Sequence, residues 1–167
     1  MEHETDRLYL SRPRLSDAPD LLRFLGDRDA MRYTLHLASL DDVRRFLAGH
    51  EAQRRRLGYG PWTVREKTTR EIVGIGGLYD DPFEPGWGPE VAYQFAPTAW
   101  GKGYATELTR YCLRLAREAF RIASVRAFAH PDNLASRRVL EKAGFREASF
   151  VSEMSRLLYV QEAPTVA

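Results

Sequence analysis

One long amphipathic segment, residues 101–120, constrains the fold more than any other part of the chain, because it lies between two segments that are predicted to be strands. Its apolar residues recur three and four positions apart, as on one face of a helix; they are Tyr104, Leu108, Tyr111, Cys112, Leu115 and Ala119. The flanking segments are residues 90–95, a strand that Pro97 ends, and residues 123–130, where apolar residues alternate. A strand, a helix and a strand in this order predict a crossover between parallel strands. The sequence therefore predicts an α/β fold with one β-α-β unit in a mostly antiparallel sheet.

The other patterns predict two helices and a hairpin before this unit, and a short helix and two strands after it. These segments are a strand at 7–12, helices from Ser16 to Gly26 and from Ser39 to about Arg56, hairpin strands at 59–66 and 71–79, a helix at 134–143, and strands at 145–150 and 154–160. Gly74, Gly76 and Gly77 indicate a bulge or a close backbone approach, and the tail at 161–167 is predicted to be frayed. We therefore expect a single α/β (α+β) domain over residues 1–167, with a core at about 5–160. Its mixed, mostly antiparallel, twisted sheet should have about seven strands and about four flanking helices.

Composition narrows the class of protein. The chain has 167 residues, 44% hydrophobic and 29% charged, which is typical of one soluble globular domain. A net charge of +2 does not favour a nucleic acid or an anionic membrane as partner. No apolar run approaches the ~20 residues that cross a bilayer, and the polar, acidic N-terminus is unlike a signal peptide. We therefore expect a cytoplasmic protein with no membrane or nucleic-acid partner.

Cysteine and histidine usage predicts that the protein holds no metal. The single cysteine, Cys112, excludes an intramolecular disulfide and any multi-cysteine zinc site. It lies on the apolar stripe of its helix, so we expect a packed thiol rather than a nucleophile. The four histidines are scattered and show no metal-ligand spacing.

The stretch from Tyr93 to Thr106 is the first that carries chemistry, since a strand here runs through a turn into a helix that begins with Gly101 and Gly103. The first N–H groups of a helix have no partner within it, and together with the helix dipole they favour an anion. Glycine lets a phosphate approach the backbone closely, and Lys102 adds a positive charge. A tight turn without a ligand is the alternative, because two glycines at a helix start are a weak signal.

A second stretch strengthens this signal. Residues 133–145 (NLASRRVLEKAGF) follow residues 100–107 (WGKGYATE) after about 30 positions, as the starts of two consecutive helices. The pair resembles the GNAT superfamily of N-acetyltransferases, and most of all its RimJ/RimL-type branch. The segments TDRLYLSRP, WTVRE, IVGIGGL and EVAYQF are similar to that branch in order and spacing, so the resemblance covers residues 5–160.

The resemblance implies acetyl-CoA as acetyl donor and direct transfer to a primary amine in a ternary complex. It places the diphosphate on the amides of residues 101–106 and the pantetheine arm along the strand at 93–95. The expected cofactor-binding residues are Tyr93, Phe95, Trp100, Gly101, Lys102, Gly103, Tyr104, Ala105, Thr106, Asn133 and Ser136. Trp100 departs from the superfamily's usual Arg or Gln at its motif position, which matters little where backbone N–H groups hold the phosphates.

Transfer to an amine requires a base, because an amine with a lysine-like pKa of ~10.4 is protonated at neutral pH. We expect Glu90 to be that base, directly or through a water; the alternative is a solvated carboxylate at a strand start. A backbone N–H within residues 92–95 should stabilise the oxyanion if the sheet splays there. Many superfamily members use a tyrosine acid after the last helix, but residues 144–146 are Gly-Phe-Arg. Ser136 or water would have to replace it, unless Ser136 only takes part in the helix cap.

Three further features leave alternatives open. His130 ends a strand beside the expected site, and an imidazole can act as a base, although a structural or surface role is the simpler interpretation. The loop at 80–89 mixes acidic and aromatic residues, which suits a cationic amine or an ordinary surface loop. The arginines at 54–56 form either a solvated helix terminus, where the dipole favours cations, or a nucleic-acid contact.

Two functions from different classes are compatible with these patterns. The first is an acetyl-CoA-dependent N-acetyltransferase acting on a protein N-terminal α-amine or a small-molecule amine. Homodimers are common in the family that the chain resembles, so the resemblance implies a possible homodimer. The second is a non-catalytic acyl-CoA-binding or regulatory module of the same fold, which the missing tyrosine favours. Amine-dependent release of CoA distinguishes the two.

Overall fold

The computed structural model describes residues 2–163, which form one sheet with helices on both faces. The strands are β1 (His3–Glu4), β2 (Leu8–Ser11), β3 (Trp62–Glu66), β4 (Ile72–Tyr79), β5 (Glu90–Phe95), β6 (Ser124–Ala129), β7 (Arg146–Val151) and β8 (Arg156–Glu162). The helices are α1 (Ala18–Leu25), α2 (Leu40–Leu57), α3 (Tyr104–Glu118) and α4 (Leu134–Lys142). Along the eight-stranded sheet the order is β1-β2-β3-β4-β5-β6-β8-β7. The predicted α/β class and mixed sheet are confirmed.

The predicted β-α-β unit is present, with β5 and β6 parallel and α3 as the crossover. The two strands pair at a single register position, Glu90 opposite Arg126, where the Arg126 N–H donates to the Pro89 carbonyl at 2.9 Å. Beyond that position they separate, and the sheet opens as a wedge between them. This splay lies where the resemblance implies the acetyl donor.

Every other strand pair is antiparallel. The strand count is eight rather than about seven, because His3 and Glu4 pair with β2 as an additional edge strand. A strand of two residues is too short to show a sequence pattern. Of the tail predicted to be frayed, residues 161–162 instead extend β8, and residues 164–167 lie outside the described range.

The glycine-rich strand β4 contains the predicted bulge. Its register with β3 shifts between Val64 and Arg65, which makes Val73 the additional residue of β4. A Cβ at Gly76 would lie 2.6 Å from the Ala92 carbonyl oxygen. Glycine therefore permits the close approach of β5, the strand on which the site is built.

The two faces of the sheet bury separate cores. On one face α3 and α4 pack on the sheet around Trp62 and Leu108. On the other face α1 and α2 pack around Leu21, Val43 and Ile75. Because the wedge between β5 and β6 lies between these layers, both cores fix its walls.

The predicted apolar stripe of α3 is correct at Leu108 and Cys112 and wrong at its end. Ala119 is exposed, because α3 ends at Glu118, and Ala116 is buried instead. Cys112 is fully buried, and burial raises the pKa of its thiol well above the usual value. The thiol is therefore a packed core group, as predicted.

Among the helices of the described residues, none is long and apolar enough to cross a membrane.

Candidate active site

A groove of about 640 Å³ opens where β5 and β6 separate. Its walls are β5, the loop at 29–34 between α1 and α2, and the N-terminal ends of α3 and α4. The predicted cofactor-binding residues that line it are Tyr93, Phe95, Trp100, Gly101, Gly103, Tyr104, Ala105, Thr106, Asn133 and Ser136. Lys102 and Glu90 lie outside this lining. The fold therefore brings the two sequence motifs together around one cavity.

The N-terminus of α3 is open to an anion. Gly101 and Gly103 have φ angles of +73° and +80°, a left-handed conformation that glycine adopts without strain. Gly103 is the N-cap residue, and no side chain of the described residues caps the helix. The first backbone bond runs from the Glu107 N–H to the Gly103 carbonyl at 3.1 Å, so the N–H groups of residues 104–106 have no partner within the helix. This backbone fits a phosphate group.

The charged side chains next to this N-terminus pair with one another. Lys102 Nζ lies 3.3 Å from Glu66 Oε1, and the Tyr104 hydroxyl donates to the same carboxylate. Arg7 forms a salt bridge of 2.7 Å with Glu107 and donates to the Lys102 carbonyl. These contacts fix the turn that carries the two glycines.

Two basic residues of α4, Arg138 and Lys142, also line the groove, and the sequence analysis did not identify them. They are four positions apart, so the helix places them one turn above the other on the same face. That spacing is the signal that would have indicated a second source of positive charge. Basic side chains of α4 therefore line the same cavity as the uncapped start of α3.

The edge of β5 that faces the groove carries free backbone groups. The Ala96 N–H bonds to the Val73 carbonyl in β4 at 2.8 Å. Alternation along a strand then directs the N–H and C=O of Tyr93 and Phe95 to the opposite edge, from which β6 has separated. There the Phe95 carbonyl accepts a hydrogen bond from Nε1 of the half-exposed Trp100 at 2.9 Å. An extended ligand can therefore pair with β5 at Tyr93 as an added strand.

Ser136 connects the two sides of the groove. Its hydroxyl oxygen lies 3.1 Å from the phenolic oxygen of Tyr93, and its backbone N–H donates to Asn133 Oδ1 at 3.2 Å. Asn133 is thus the N-cap of α4, as predicted. Burial raises the pKa of Tyr93 to about 12, so its phenol stays protonated at neutral pH. The cap uses only the N–H of Ser136, and the hydroxyl remains available as a proton donor.

Glu90 lies beside the groove rather than in its lining. It is the first residue of β5, opposite Tyr79 of β4, and is 6% exposed. Burial raises the pKa of Glu90 to about 8; the negative charges of Asp81, Glu84 and Asp80 act in the same direction, and a hydrogen bond with Tyr79 opposes them. The burial excludes a solvated carboxylate. A carboxyl group with a pKa close to the pH of solution is suited to accept a proton.

The acidic and aromatic loop at 80–89 contacts α2 beside Glu90. Phe83 of this loop packs against α2. His50 of α2 lies with its ring centroid 4.6 Å from that of Tyr79 and 5.9 Å from that of Phe83. Burial lowers the pKa of His50 to about 4, so the ring is neutral at pH 7. The charges next to Glu90 are therefore mainly the carboxylates of the loop.

His130 follows β6 and has a structural role. Its ring stacks on Tyr33 of the loop between α1 and α2, with centroids 5.0 Å apart, and its Nδ1 accepts from the Asp132 N–H at 3.1 Å. Tyr33 lines the groove, but no periodic pattern in the sequence indicated it. Within residues 2–163, no three His, Cys, Asp or Glu side chains are grouped so as to hold a metal ion.

Comparisons with known proteins agree with this geometry. The family model described as acetyltransferase (GNAT) domain matches residues 7–146. YkkB of Bacillus subtilis (strain 168) is 29% identical over 159 residues, 95% of this chain and 92% of YkkB. The acetyltransferase from Agrobacterium tumefaciens str. C58 is similar with a TM-score of 0.83 at 21% identity, covering 98% of this chain and 95% of that one. Mycobacterium smegmatis RimJ, solved with CoA-disulfide, has a TM-score of 0.77 at 21% identity, covering 95% of this chain and 83% of RimJ.

Proposed function

Because the chain belongs to the GNAT acetyltransferase family, we propose that it is an N-acetyltransferase that transfers the acetyl group of acetyl-CoA to a primary amine. Within the family we place it in the RimJ/RimL-type branch, which the motifs at residues 100–107 and 133–145 support. The observation that carries the proposal is the uncapped N-terminus of α3, in a groove whose wall is the open edge of β5.

Acetyl-CoA fits the groove part by part. The N–H groups of residues 101–106 bind the diphosphate, and Arg138 and Lys142 of α4 add positive charge. The Tyr93 carbonyl accepts from an amide N–H of the pantetheine arm, which leaves the Tyr93 N–H for the thioester oxygen, and Asn133 and Ser136 line the wall opposite. When bound, acetyl-CoA supplies an activated acyl group and a thiolate leaving group.

The described residues provide the three groups that amide formation requires. Glu90 takes a proton from the incoming ammonium through a water, since its carboxyl lies outside the groove lining. The neutral amine nitrogen then forms a bond to the thioester carbon, and the Tyr93 N–H stabilises the charge on the carbonyl oxygen. As the C–S bond breaks, the nitrogen gives its second proton to water, and the Ser136 hydroxyl, held by the Tyr93 phenol, gives a proton to the sulfur and takes one back from that water. Holding both substrates in this geometry is worth ~7–11 kcal/mol of the barrier.

The acceptor binds on the face of the sheet that α1 and α2 cover. Burial raises the pKa of Glu90, and the carboxylates of Asp81, Glu84 and Asp80 raise it further. These carboxylates place negative potential where an ammonium has to arrive. Phe83 is 56% exposed in the same loop and offers a surface for cation–π or alkyl contact. A cationic primary amine, whether a protein N-terminal α-amine or a small molecule, has the chemistry that this surface attracts.

The proposal is tested by incubating the protein with acetyl-CoA and a panel of primary amines, including a peptide with a free N-terminus, in the presence of a thiol reporter. We expect release of CoA that depends on an amine, and one amine that gains the mass of an acetyl group. Binding of acetyl-CoA without turnover over the whole panel would indicate the non-catalytic acyl-CoA-binding module. No binding of acetyl-CoA would overturn both functions.

A further inference from the structure

A second cavity, of about 520 Å³, lies between the C-terminal ends of α2 and α3 and the start of β3. We call it the edge cavity. Its lining residues are His3, Arg12, Arg54, Arg55, Gly58, Tyr59, Trp62, Leu115, Ala119 and Phe120. The groove lies at the other end of α3, roughly 20 Å away, because a helix rises 1.5 Å per residue. The edge cavity is thus separate from the proposed acetyl-CoA site.

The edge cavity has an excess of positive charge. Arg12, Arg54 and Arg55 line it, and all three approach the same carboxylate, that of Glu51. Arg12 Nε and Arg55 Nε lie 2.9 Å and 3.0 Å from its oxygens, whereas Arg54 Nε lies 4.0 Å away. One carboxylate neutralises one of the three guanidinium groups. No Asp or Glu is among the described residues that line the cavity.

Arg54 is not the solvated helix terminus that the sequence predicted. Its side chain is 14% exposed, it donates to the Pro61 carbonyl, and its guanidinium carbon lies 5.9 Å from the Trp62 ring centroid. The Arg54 side chain is not needed to cap the end of α2, because the Gly58 N–H already bonds to the backbone carbonyl of Arg54. Burial lowers the pKa of Arg54; the negative charge of Glu51 opposes this shift, and the positive charge of Arg12 adds to it. A buried guanidinium beside other cations favours an anion.

The rest of the wall is aromatic and apolar. Tyr59 and Phe120 meet edge to face, with ring centroids 5.0 Å apart, and Leu115 lies with them. Trp62 is 1% exposed, and its Nε1–H has no hydrogen-bond partner among the residues that the structure describes. A buried indole donor without an acceptor is unusual in a native fold. The wall therefore offers apolar contact, and the Trp62 indole N–H is buried within it.

We infer that the edge cavity binds a small carboxylate that carries an aromatic or aliphatic ring. A carboxylate takes two parallel hydrogen bonds from a guanidinium. The ring packs against Tyr59, Phe120 and Leu115. A volume of about 520 Å³ lies within the usual range for small-molecule sites. A phosphate or a nucleic acid would use the arginines but not the apolar wall.

The test follows the indole N–H signal of Trp62 in a proton–nitrogen correlation spectrum, titrated with phenylacetate. The chain has three tryptophans, and Trp62→Phe assigns the signal. We expect a saturable shift of this signal with a Kd in the millimolar range or tighter, corresponding to about −4 kcal/mol. Phenylacetamide, which has the same ring without the charge, should leave the signal unmoved, and so should inorganic phosphate. No shift with ~10 mM phenylacetate, or an equal shift with the amide or phosphate, would overturn the inference.

Variants of the arginines separate binding from folding. Arg12→Gln and Arg54→Met should each raise the Kd for phenylacetate about tenfold or more, since each removes a charged donor. Arg56→Gln, an exposed neighbour outside the lining, is the matched control and should not change it. If both lining variants bind as tightly as the wild type, the site is not the one described. Acetyl-CoA binding, measured in the same samples, reports separately on the groove.

Discussion

The phenolic oxygen of Tyr93 lies 3.1 Å from the hydroxyl oxygen of Ser136 and so joins β5 to the N-terminus of α4 across the groove. Neither residue lies after the last helix, where many superfamily members carry a tyrosine acid. The pair nevertheless places two hydroxyl groups beside the strand edge at which the thioester is proposed to bind. It is the arrangement on which the proposed proton transfer to sulfur depends.

Ser136→Ala tests this transfer, because it removes the hydroxyl and keeps the N–H that bonds to Asn133. A thiol has a pKa of ~8.5, so the departing sulfur needs a proton at pH 7 but leaves as a thiolate at high pH. We expect turnover to fall about 10²-fold at pH 7 and much less at pH 9.5, with the Kd for acetyl-CoA little changed. Tyr93→Phe, which keeps the Ser136 hydroxyl, should show a smaller loss. An equal loss at both pH values would remove Ser136 as the acid.

Glu90→Gln tests the proposed base. Since the pKa of Glu90 is raised to about 8, we expect wild-type turnover to rise with pH through about 8, as the carboxylate forms. The variant should lose about 10²-fold or more near pH 7 and less at high pH, where neutral amine is plentiful. Initial rates with a thiol reporter from pH 6 to pH 10 measure this. A loss of the same size at every pH would show that Glu90 is not the base.

The same substitution has the opposite effect on stability. The pKa of Glu90 is 4.5 in the unfolded chain and about 8 in the folded chain. Between these two pH values the folded chain holds a proton on Glu90 that the unfolded chain has lost. Glu90 therefore lowers the free energy of unfolding as pH rises through this window, and the full effect is present above pH 8. We expect the difference in free energy of unfolding, Glu90→Gln minus wild type, to increase by about 3–5 kcal/mol from pH 5 to pH 9.

Urea denaturation at the two pH values measures this gain. Glu118→Gln, at an exposed position of α3, is the control and should change little. If Glu90→Gln is no more stable than wild type at pH 9, the carboxyl does not carry a raised pKa. A buried carboxyl that lowers stability and raises turnover is kept for function rather than for packing.

Gly103→Val tests the anion site at the start of α3. Gly103 has a φ of +80°, and a Cβ there would lie 3.4 Å from the Arg7 guanidinium. A β-branched residue is strained in this conformation and blocks the approach of a phosphate to the N–H groups. We expect calorimetry to show no binding of acetyl-CoA. Gly58→Val carries similar strain, at a φ of +85°, away from the groove and should keep binding; equal binding by both variants would contradict the account.

Most of the fold follows from local patterns in the sequence. Alternation at Val125, Ala127 and Ala129 and the helical period of α3 predicted the β-α-β unit, and Asn133 and Gly144 marked the ends of α4 correctly. The additional strand β1 could not be predicted, because two residues form a strand only through pairing with β2.

For the candidate site, too, local features could be predicted from the sequence and features that depend on tertiary packing could not. The turn at 100–103 and the cap at Asn133 are local, so their residues were identified together. The burial of Glu90 depends on the loop at 80–89 and on Tyr79, which tertiary packing brings beside it. Arg138 and Lys142 line the groove only because α4 packs beside the start of α3. These properties belong to the packing of elements and have no signature in a single segment.

A crystal structure with bound acetyl-CoA tests the central claim most directly. The account predicts diphosphate oxygens about 3 Å from the N–H groups of residues 101–106, with the thioester oxygen at the Tyr93 N–H and its sulfur beside Ser136. A ligand bound elsewhere, or no binding at millimolar concentration, would contradict it.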